Sequence, residues 1–257
     1  MLVGAQDKRR DVQMVETGRS RAFPEGFTWG TATAAHQIEG GNVNNDWWAF
    51  EHAPGSGCVE PSGDACDSWE RWEEDADVVA ELGLDNYRFS VEWSRIEPAD
   101  GEISRAALEH YRRQCLGLRD RGVDPVVTFH HFTTPLWLTA QGGWESGVAV
   151  ERFARFCTVV AEALGDVMTR ACTINEPNIV ATMGWHAGMF PPGKNDVELS
   201  RRVAEHFVQA HRLAVDAIRA AAPGVPVGMT LSMTDYQLAP GGEEKLEKIR
   251  HHAEDVF

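Results

Sequence analysis

The chain has 257 residues, of which 43% are hydrophobic, and its formal net charge at pH 7 is −15. This acidic balance argues against a nucleic-acid partner and against an anionic membrane surface, because both carry negative charge themselves. No run approaches the roughly 20 apolar residues that span a bilayer, so no membrane partner is expected.

Residues 1–22 form a polar head without the continuous apolar stretch of a signal peptide, and we predict a disordered tail. The five cysteines are an odd number with no C-x-x-C motif. Three of them fall in predicted helices or strands, which is typical of small buried hydrophobes. A bridge between Cys58 and Cys66, which share one loop, is the less favoured alternative. The expected compartment is therefore the reducing cytoplasm.

From Phe23 onward, short strand-like runs alternate with longer segments of helical spacing. The predicted strands are FTWGTAT (27–33), NYRFSVEW (86–93), DPVVTFHHF (124–132), RACTINEP (170–177) and PVGMTLSM (226–233). Helical stripes lie between them, and each helix is predicted to close on a glycine in the left-handed conformation: Gly83, Gly122, Gly165 and Gly224. Strand–helix alternation with short returns predicts βα units and a parallel sheet.

The spacing of the closing glycines indicates the architecture. Successive glycines are roughly 40 to 60 residues apart, so eight units would need on the order of 370 residues, within the range of an eightfold barrel with insertions. We therefore predict an α/β fold of the (β/α)8 TIM-barrel type, with about the first four to five units in residues 23–257. A parallel sheet of five strands leaves open edges. The isolated chain is thus expected to be unstable, to self-associate or to be completed by another polypeptide.

Polar side chains are predicted at the carboxyl ends of the strands, where a parallel barrel gathers its functional groups. In chain order these are Gln37 and Glu39, then Arg88 and Glu92, then His130 and His131, and finally Asn175 and Glu176. Amides, imidazoles and carboxylates hydrogen-bond hydroxyl groups, and the chain is rich in tryptophan, whose ring stacks on sugars. The set therefore favours a neutral polyhydroxylated ligand over a phosphate or a metal, and no cofactor is expected.

Each candidate also has a structural interpretation. An isolated Glu before Pro is structural about half the time, because Asn and Pro make turns. His130 and His131 are adjacent on a strand and face opposite sides, so at most one can point into the barrel mouth. A buried guanidinium is costly without an anion, so Arg88 implies a carboxylate, for which Glu39 and Glu92 are candidates besides a group outside the chain.

The motifs taken together resemble the N-terminal part of glycoside hydrolase family 1, the β-glucosidase family. FPEGFTWGTATAAHQIEGG resembles the family's N-terminal signature. NYRFSVEWSRIEP, TFHHFTTP and TINEPN resemble its second, third and fourth strand ends, in the right order. The resemblance runs from about Phe23 to the C-terminus.

The resemblance implies a retaining β-glycosidase that acts on a small β-glycoside or oligosaccharide without a cofactor. Glu176 matches the general acid/base, and Asn175 matches the residue that holds the sugar 2-hydroxyl. Gln37 and His131 match polar groups around the hydroxyls of the non-reducing-end sugar. Arg88 matches the arginine that pairs with the nucleophilic glutamate.

The sequence departs from the family in two places. HFTTP stands where the family commonly reads HWDLP, so Phe132 replaces a tryptophan and Thr133 an aspartate. The family's nucleophile lies in a T-E-N-G-like motif, and no E-N-G occurs in this chain. The isolated chain is therefore expected to be inactive unless a complementing C-terminal half supplies that carboxylate. The alternatives are a non-catalytic carbohydrate-binding or scaffold protein and an endo-β-glycanase of the same clan.

Overall fold

The computed structural model describes residues 23–234, 245 and 247–249. The predicted disordered tail, residues 1–22, lies outside the described residues.

Five strands form one parallel sheet in the order in which they occur along the chain. They are β1 (Gly30–Ala32), β2 (Asn86–Ser90), β3 (Asp124–His130), β4 (Arg170–Asn175) and β5 (Val227–Thr230). Each lies within a run that the sequence predicts, although β1 and β5 are shorter than their runs. Sequential order with parallel pairing is what repeated βα units produce, and the alternation predicted from the sequence is confirmed.

Helices of two kinds connect the strands. The long ones, which return the chain to the start of the next strand, are α3 (Ser68–Glu81), α5 (Arg105–Asp120), α7 (Val148–Leu164) and α9 (Val197–Ala221). The short ones lie in the loops after the strands and are α1 (Ala35–Ile38), α2 (Asp46–Glu51), α4 (Trp93–Ile96), α6 (Leu136–Thr139) and α8 (Pro177–Ala181). A 3-10 turn (Gly143–Glu145) and a π-helical turn (Thr182–His186) complete the loops after β3 and β4.

The long helices pack on the sheet through the predicted apolar stripes. On α7 the stripe residues Phe153, Cys157, Val160 and Leu164 are all fully buried. The stripe of α9 is buried from Val203 to Ile218. Burial of these side chains supplies the main stabilisation of the fold, at about 25 cal/mol for each Å² of apolar surface removed from water.

Three of the four helix-closing glycines adopt the predicted left-handed conformation, but the prediction is wrong for Gly165. Its φ is −62°, which is ordinary right-handed backbone. A methyl group here would lie 2.5 Å from the Cβ of Ala222. Gly165 is therefore required for the close approach of α7 to the end of α9 rather than for its backbone angle.

The outer strands of the sheet are the least buried. All three residues of β1 are exposed, and no residue of β5 is buried, whereas β2, β3 and β4 are buried along most of their length. Exposed aromatic rings of Phe23, Phe27 and Trp29 cluster beside β1, with centroids 4.5 to 5.1 Å apart. The described residues thus leave both edges of the sheet open.

Candidate active site

The strands run parallel, so their carboxyl ends lie at one edge of the sheet. The residues predicted for the site occupy that edge: Gln37 in α1 after β1, Arg88 in β2, His131 after β3, and Asn175 and Glu176 at the end of β4.

Arg88 and Asn175 are joined directly across the sheet. Arg88 Nη1 donates to Asn175 Oδ1 at 3.0 Å and to Thr128 Oγ1 at 3.1 Å. Asn175 Oδ1 also accepts from Thr230 Oγ1 at 3.0 Å. Because these bonds engage the amide oxygen, the amide nitrogen is left as the group that can donate to a ligand. Thr128 and Thr230 were missed by the sequence reasoning, since a threonine inside a strand is an ordinary β-former.

The two candidate carboxylates for Arg88 within the chain, Glu39 and Glu92, are engaged elsewhere, so neither is its partner. Glu39 Oε2 pairs with Arg95 Nε at 2.9 Å. Glu92 caps α4 by accepting from Ser94 and also accepts from Thr133 Oγ1 at 3.0 Å. Within the part of the chain that the structure describes, Arg88 therefore contacts no carboxylate.

Glu176 has an unusual backbone conformation at the junction of β4 and α8. Its φ is +48° and its ψ is +56°, in the left-handed region that a residue with a side chain rarely adopts. Pro177 starts α8 immediately afterwards, and the Glu176 amide is held by the Thr230 carbonyl at 2.9 Å. The carboxyl is half-buried, and no hydrogen bond or ion pair to it is found among residues 23–234. Strain of this kind persists where the surroundings impose it and is common at functional sites.

The two histidines at the end of β3 have separate environments, as their alternation predicts. His130 is fully buried among Trp144, Phe153 and Phe207. His131 lies at the strand end, where burial, and secondly the charge of Arg88, lower its pKa to about 3. Its imidazole is therefore neutral at physiological pH and has one donor and one acceptor nitrogen, a combination suited to a sugar hydroxyl.

Gln37 is the most open of the predicted residues. Its side chain is exposed, whereas the preceding His36 is buried and held by Asn45 at 3.1 Å and Glu51 at 3.5 Å. Gln37 is thus carried by an anchored turn but makes no hydrogen bond to the other predicted site residues in the described part of the chain.

Three aromatic rings from different loops stand beside the strand ends. Phe132, directly after His131, lies 5.7 Å from Phe190 in the loop after β4, and Phe190 lies 4.8 Å from Trp47 in α2. All three rings are partly exposed. They provide apolar surface next to the polar groups, as a sugar or an aryl substituent requires.

Two further observations concern the described residues. No three His, Cys, Asp or Glu side chains among them are grouped to hold a metal ion. No helix among them is long and apolar enough to cross a membrane.

Comparisons with known proteins agree on one family. The family model described as Glycosyl hydrolase family 1 matches residues 19–256. Beta-glucosidase A of Thermotoga maritima is 34% identical over 237 residues, which are 90% of this chain and 53% of the relative. Beta-glucosidase of Agrobacterium sp. is 37% identical over 232 residues, 88% of this chain and 50% of that relative. The chain spans about half the length of the curated relatives it matches.

Solved structures give the same result. Beta-glycosidase BGL167 has 43% sequence identity and a TM-score of 0.79, with 90% of this chain and 61% of that chain covered. Beta-glucosidase from Thermotoga maritima in complex with glucoimidazole has 34% identity and a TM-score of 0.84, with coverage of 89% and 53%. The predicted fold class, the first units of a (β/α)8 TIM barrel, and the predicted resemblance are both confirmed.

Proposed function

Because the chain belongs to glycosyl hydrolase family 1, we propose that it supplies the acid/base half of a retaining β-glycosidase. The substrate class is a small glycoside or oligosaccharide with a terminal β-linked sugar. The observation that carries the proposal is the half-buried carboxyl of Glu176, which has no partner among residues 23–234. Its backbone is held at positive φ beside the Arg88–Asn175 pair. The names of the relatives, which include several beta-glucosidases, support the same activity.

Glu176 is proposed as the general acid/base. In the first step its carboxyl donates a proton to the glycosidic oxygen as the bond to the sugar breaks and a nucleophilic carboxylate attacks the anomeric carbon. In the second step the same group, now ionised, takes a proton from water as that water releases the sugar. A carboxyl without a competing partner among the described residues is free to make both transfers.

Asn175 and Arg88 are proposed to prepare the site for those steps. The Asn175 oxygen is held by Arg88 and Thr230, so its amide nitrogen is oriented to bind the sugar 2-hydroxyl, a contact that strengthens in the transition state. The guanidinium of Arg88 has no carboxylate among the described residues and is available to the incoming nucleophile. Gln37 and the neutral His131 are proposed to bind other hydroxyls of the same sugar.

The nucleophile is proposed to come from a segment outside these 257 residues, since no E-N-G occurs in the sequence. A retaining enzyme needs its two carboxyl groups about 5–5.5 Å apart, so the chain alone is expected to be inactive. The edges of β1 and β5, which the described residues leave open, and the exposed aromatic cluster beside β1 are proposed as the surfaces that receive the completing segment or a second copy. The unpaired state of all five cysteines supports a reducing compartment, the cytoplasm.

The test is complementation. The chain is co-expressed with the part of beta-glycosidase BGL167 that it does not cover, association is checked by size-exclusion chromatography, and p-nitrophenyl β-glucoside is the substrate. We expect the complex to hydrolyse the glycoside and the chain alone not to. In the complex, Glu176→Gln should lower hydrolysis of an unactivated glycoside such as cellobiose far more than that of the aryl glucoside, whose leaving group needs less protonation. A complex that forms without activity favours a binding or scaffold role, and unchanged activity in Glu176→Gln refutes the assignment.

A further inference from the structure

A buried hydrogen-bond relay lies beneath the candidate site and contains none of its proposed substrate-binding residues. The Tyr111 hydroxyl donates to Glu39 Oε1 at 2.8 Å and accepts from the backbone N–H of Glu92 at 2.9 Å. Glu92 Oε2 in turn accepts from Thr133 Oγ1 at 3.0 Å. All four residues are at least nine-tenths buried. The relay is therefore a continuous path of buried hydrogen bonds.

The relay connects three neighbouring strand-end loops through α5, the helix that carries Tyr111. Glu39 belongs to the loop after β1, Glu92 follows β2, and Thr133 follows β3. The two ends of the path lie next to residues of the candidate site: Glu39 is two residues after Gln37, and Thr133 is two residues after His131. Fixing the ends of the relay thus fixes the turns that present those two side chains.

The backbone between His131 and Thr133 needs such an anchor. Phe132 has a φ of +73°, which is strained for a bulky residue. On one side, β3 is held by its pairing of His130 with Ile174. On the other, the Thr133 hydroxyl is bonded to Glu92. The strained residue is therefore held from both sides. Thr134 is also bonded to Asp46 through its amide at 2.8 Å and its carbonyl at 2.9 Å, so loss of the hydroxyl bond removes the anchor made by Thr133 itself and weakens this side.

The loop after β1 is held in a comparable way at the other end. Glu39 receives, besides Tyr111, hydrogen bonds from Asn42 at 3.2 Å and Arg95 at 2.9 Å, while Arg95 also bonds the Gly40 carbonyl. Burial is the main reason why the pKa of Glu39 is raised to about 7, and the charge of Arg95 opposes it. A buried carboxyl with this many donors is a rigid point in the loop.

We propose that the relay Glu39–Tyr111–Glu92–Thr133 is a positioning network for substrate recognition, with Tyr111 setting the turn that carries Gln37 and Thr133 setting the turn that carries His131. The inference rests on the proposed function, because it assigns the relay to the sugar-binding half of that site. None of the four residues touches the substrate; each acts through its neighbour. A displacement of about 1 Å at a positioned group is enough to cost catalysis about a hundredfold, so the relay is expected to affect recognition beyond its effect on stability.

The experiment uses the full chain and does not require activity. The side-chain NMR resonances of His131 and Gln37 are assigned as those that disappear in His131→Asn and in Gln37→Asn, respectively. The assigned resonances are then followed in variants of the relay. Thr133→Val removes the hydroxyl at nearly constant shape, Thr133→Ser restores it, and Tyr111→Phe breaks the other end. Thr158→Val is the matched control, because it removes one threonine hydroxyl that bonds a carbonyl within α7, away from the strand ends.

We expect Thr133→Val to shift the His131 resonances and Tyr111→Phe to shift those of Gln37, with Thr133→Ser close to the parent and Thr158→Val without effect on either. In the complemented enzyme Thr133→Val should raise KM about tenfold, which is a smaller effect than the roughly hundredfold loss of catalysis that a full 1 Å displacement causes. Thr133→Ser should restore the KM of the parent. Resonances that stay in place in both relay variants overturn the proposal, even if the variants are less stable. If Thr133→Val does not fold, Thr133→Ala removes the same hydroxyl with a smaller side chain and is judged by the same criterion. Because the NMR result is independent of hydrolysis, failure of the glycosidase assay leaves this test intact.

Discussion

Thr133→Asp replaces the buried hydroxyl by the residue that the family commonly carries at this position, and we predict that it destabilises this chain. Thr133 Oγ1 now lies 3.0 Å from Glu92 Oε2, and neither side chain is more than 5% exposed. The substitution places a second carboxyl against the first where water cannot screen them. An aspartate at position 133 should therefore be unfavourable beside the buried Glu92.

Two independent routes give the same magnitude. Two unit charges about 4 Å apart repel by about 4 kcal/mol at an effective dielectric constant of about 20. Alternatively the new carboxyl stays protonated at pH 7, about three units above the ordinary pKa of aspartate, which costs about 4 kcal/mol at about 1.4 kcal/mol for each unit. We expect a loss of about 3 to 4 kcal/mol in the free energy of unfolding near neutral pH.

The pH dependence identifies the mechanism. The pKa of the new carboxyl is raised in the folded state above its unfolded value near 4, so the penalty is absent below about pH 4 and grows as the pH rises through the folded-state pKa. Urea unfolding, followed by tryptophan fluorescence, should therefore show a larger difference from the parent at pH 7.5 than at pH 5. Thr133→Val loses the hydrogen bond without adding charge and should cost about 1 to 3 kcal/mol with little dependence on pH.

The double variant Thr133→Asp with Glu92→Gln completes the design. An amide can donate to the new carboxylate, so the double variant should recover most of the stability that Thr133→Asp loses, and the two effects should be strongly non-additive. If Thr133→Asp costs no more than Thr133→Val, shows no pH dependence and adds simply to Glu92→Gln, the buried contact between positions 92 and 133 is refuted.

Three further predictions concern separate parts of the molecule. Asn175→Asp keeps an acceptor for Arg88 but removes the amide donor, so the complemented enzyme should lose on the order of a hundredfold in kcat with little change in stability, as kinetics and urea unfolding will show. Gly165→Ala should lower the free energy of unfolding by about 1 to 3 kcal/mol, because its new methyl group meets Ala222 at the end of α9. The control Gly147→Ala, which has open space around the new methyl group, should not lower it. Equal effects of the two substitutions would contradict the packing of Gly165. Burial lowers the pKa of His130 to about 3, so as the pH falls below about 6.5 this histidine takes up a proton in the unfolded chain but not in the folded one, and the fold loses stability. The parent should therefore lose about 2 kcal/mol more stability between pH 7 and pH 5 than His130→Phe does. An equal loss in the two proteins would contradict the burial of His130.

The sheet and its long helices could be predicted because their signals are local. The apolar residues of α7 recur at the spacing of one helix face, and the apolar run before Asn175 has the length of a buried strand. Each pattern therefore indicates its element directly. Parallel order then follows from alternation. Gly165 shows the limit of this reasoning, since a glycine at a helix end usually indicates a left-handed cap, whereas here a neighbour distant in sequence, Ala222, imposes the choice.

The candidate site could be predicted only as far as its residues lie at strand ends. Asn175 and Glu176 follow from the motif, but the role of Thr230 depends on the pairing of β5 with β4, which no local pattern contains. The partners of Glu39 and Glu92 could not be predicted for the same reason. Both acids follow strands close to Arg88. In the structure, however, Glu92 accepts a hydrogen bond from Ser94 at the start of α4, and Glu39 accepts one from the Tyr111 hydroxyl.

The assignment of Glu176 as acid/base is tested most directly by azide rescue. Glu176→Ala is prepared in the complemented enzyme and assayed with 2,4-dinitrophenyl β-glucoside, whose leaving group departs without protonation. Azide is a strong nucleophile that needs no general base, so it should restore turnover and yield the β-glucosyl azide, with the configuration of the substrate retained. If azide has no effect on the rate and only glucose is formed, Glu176 is not the acid/base.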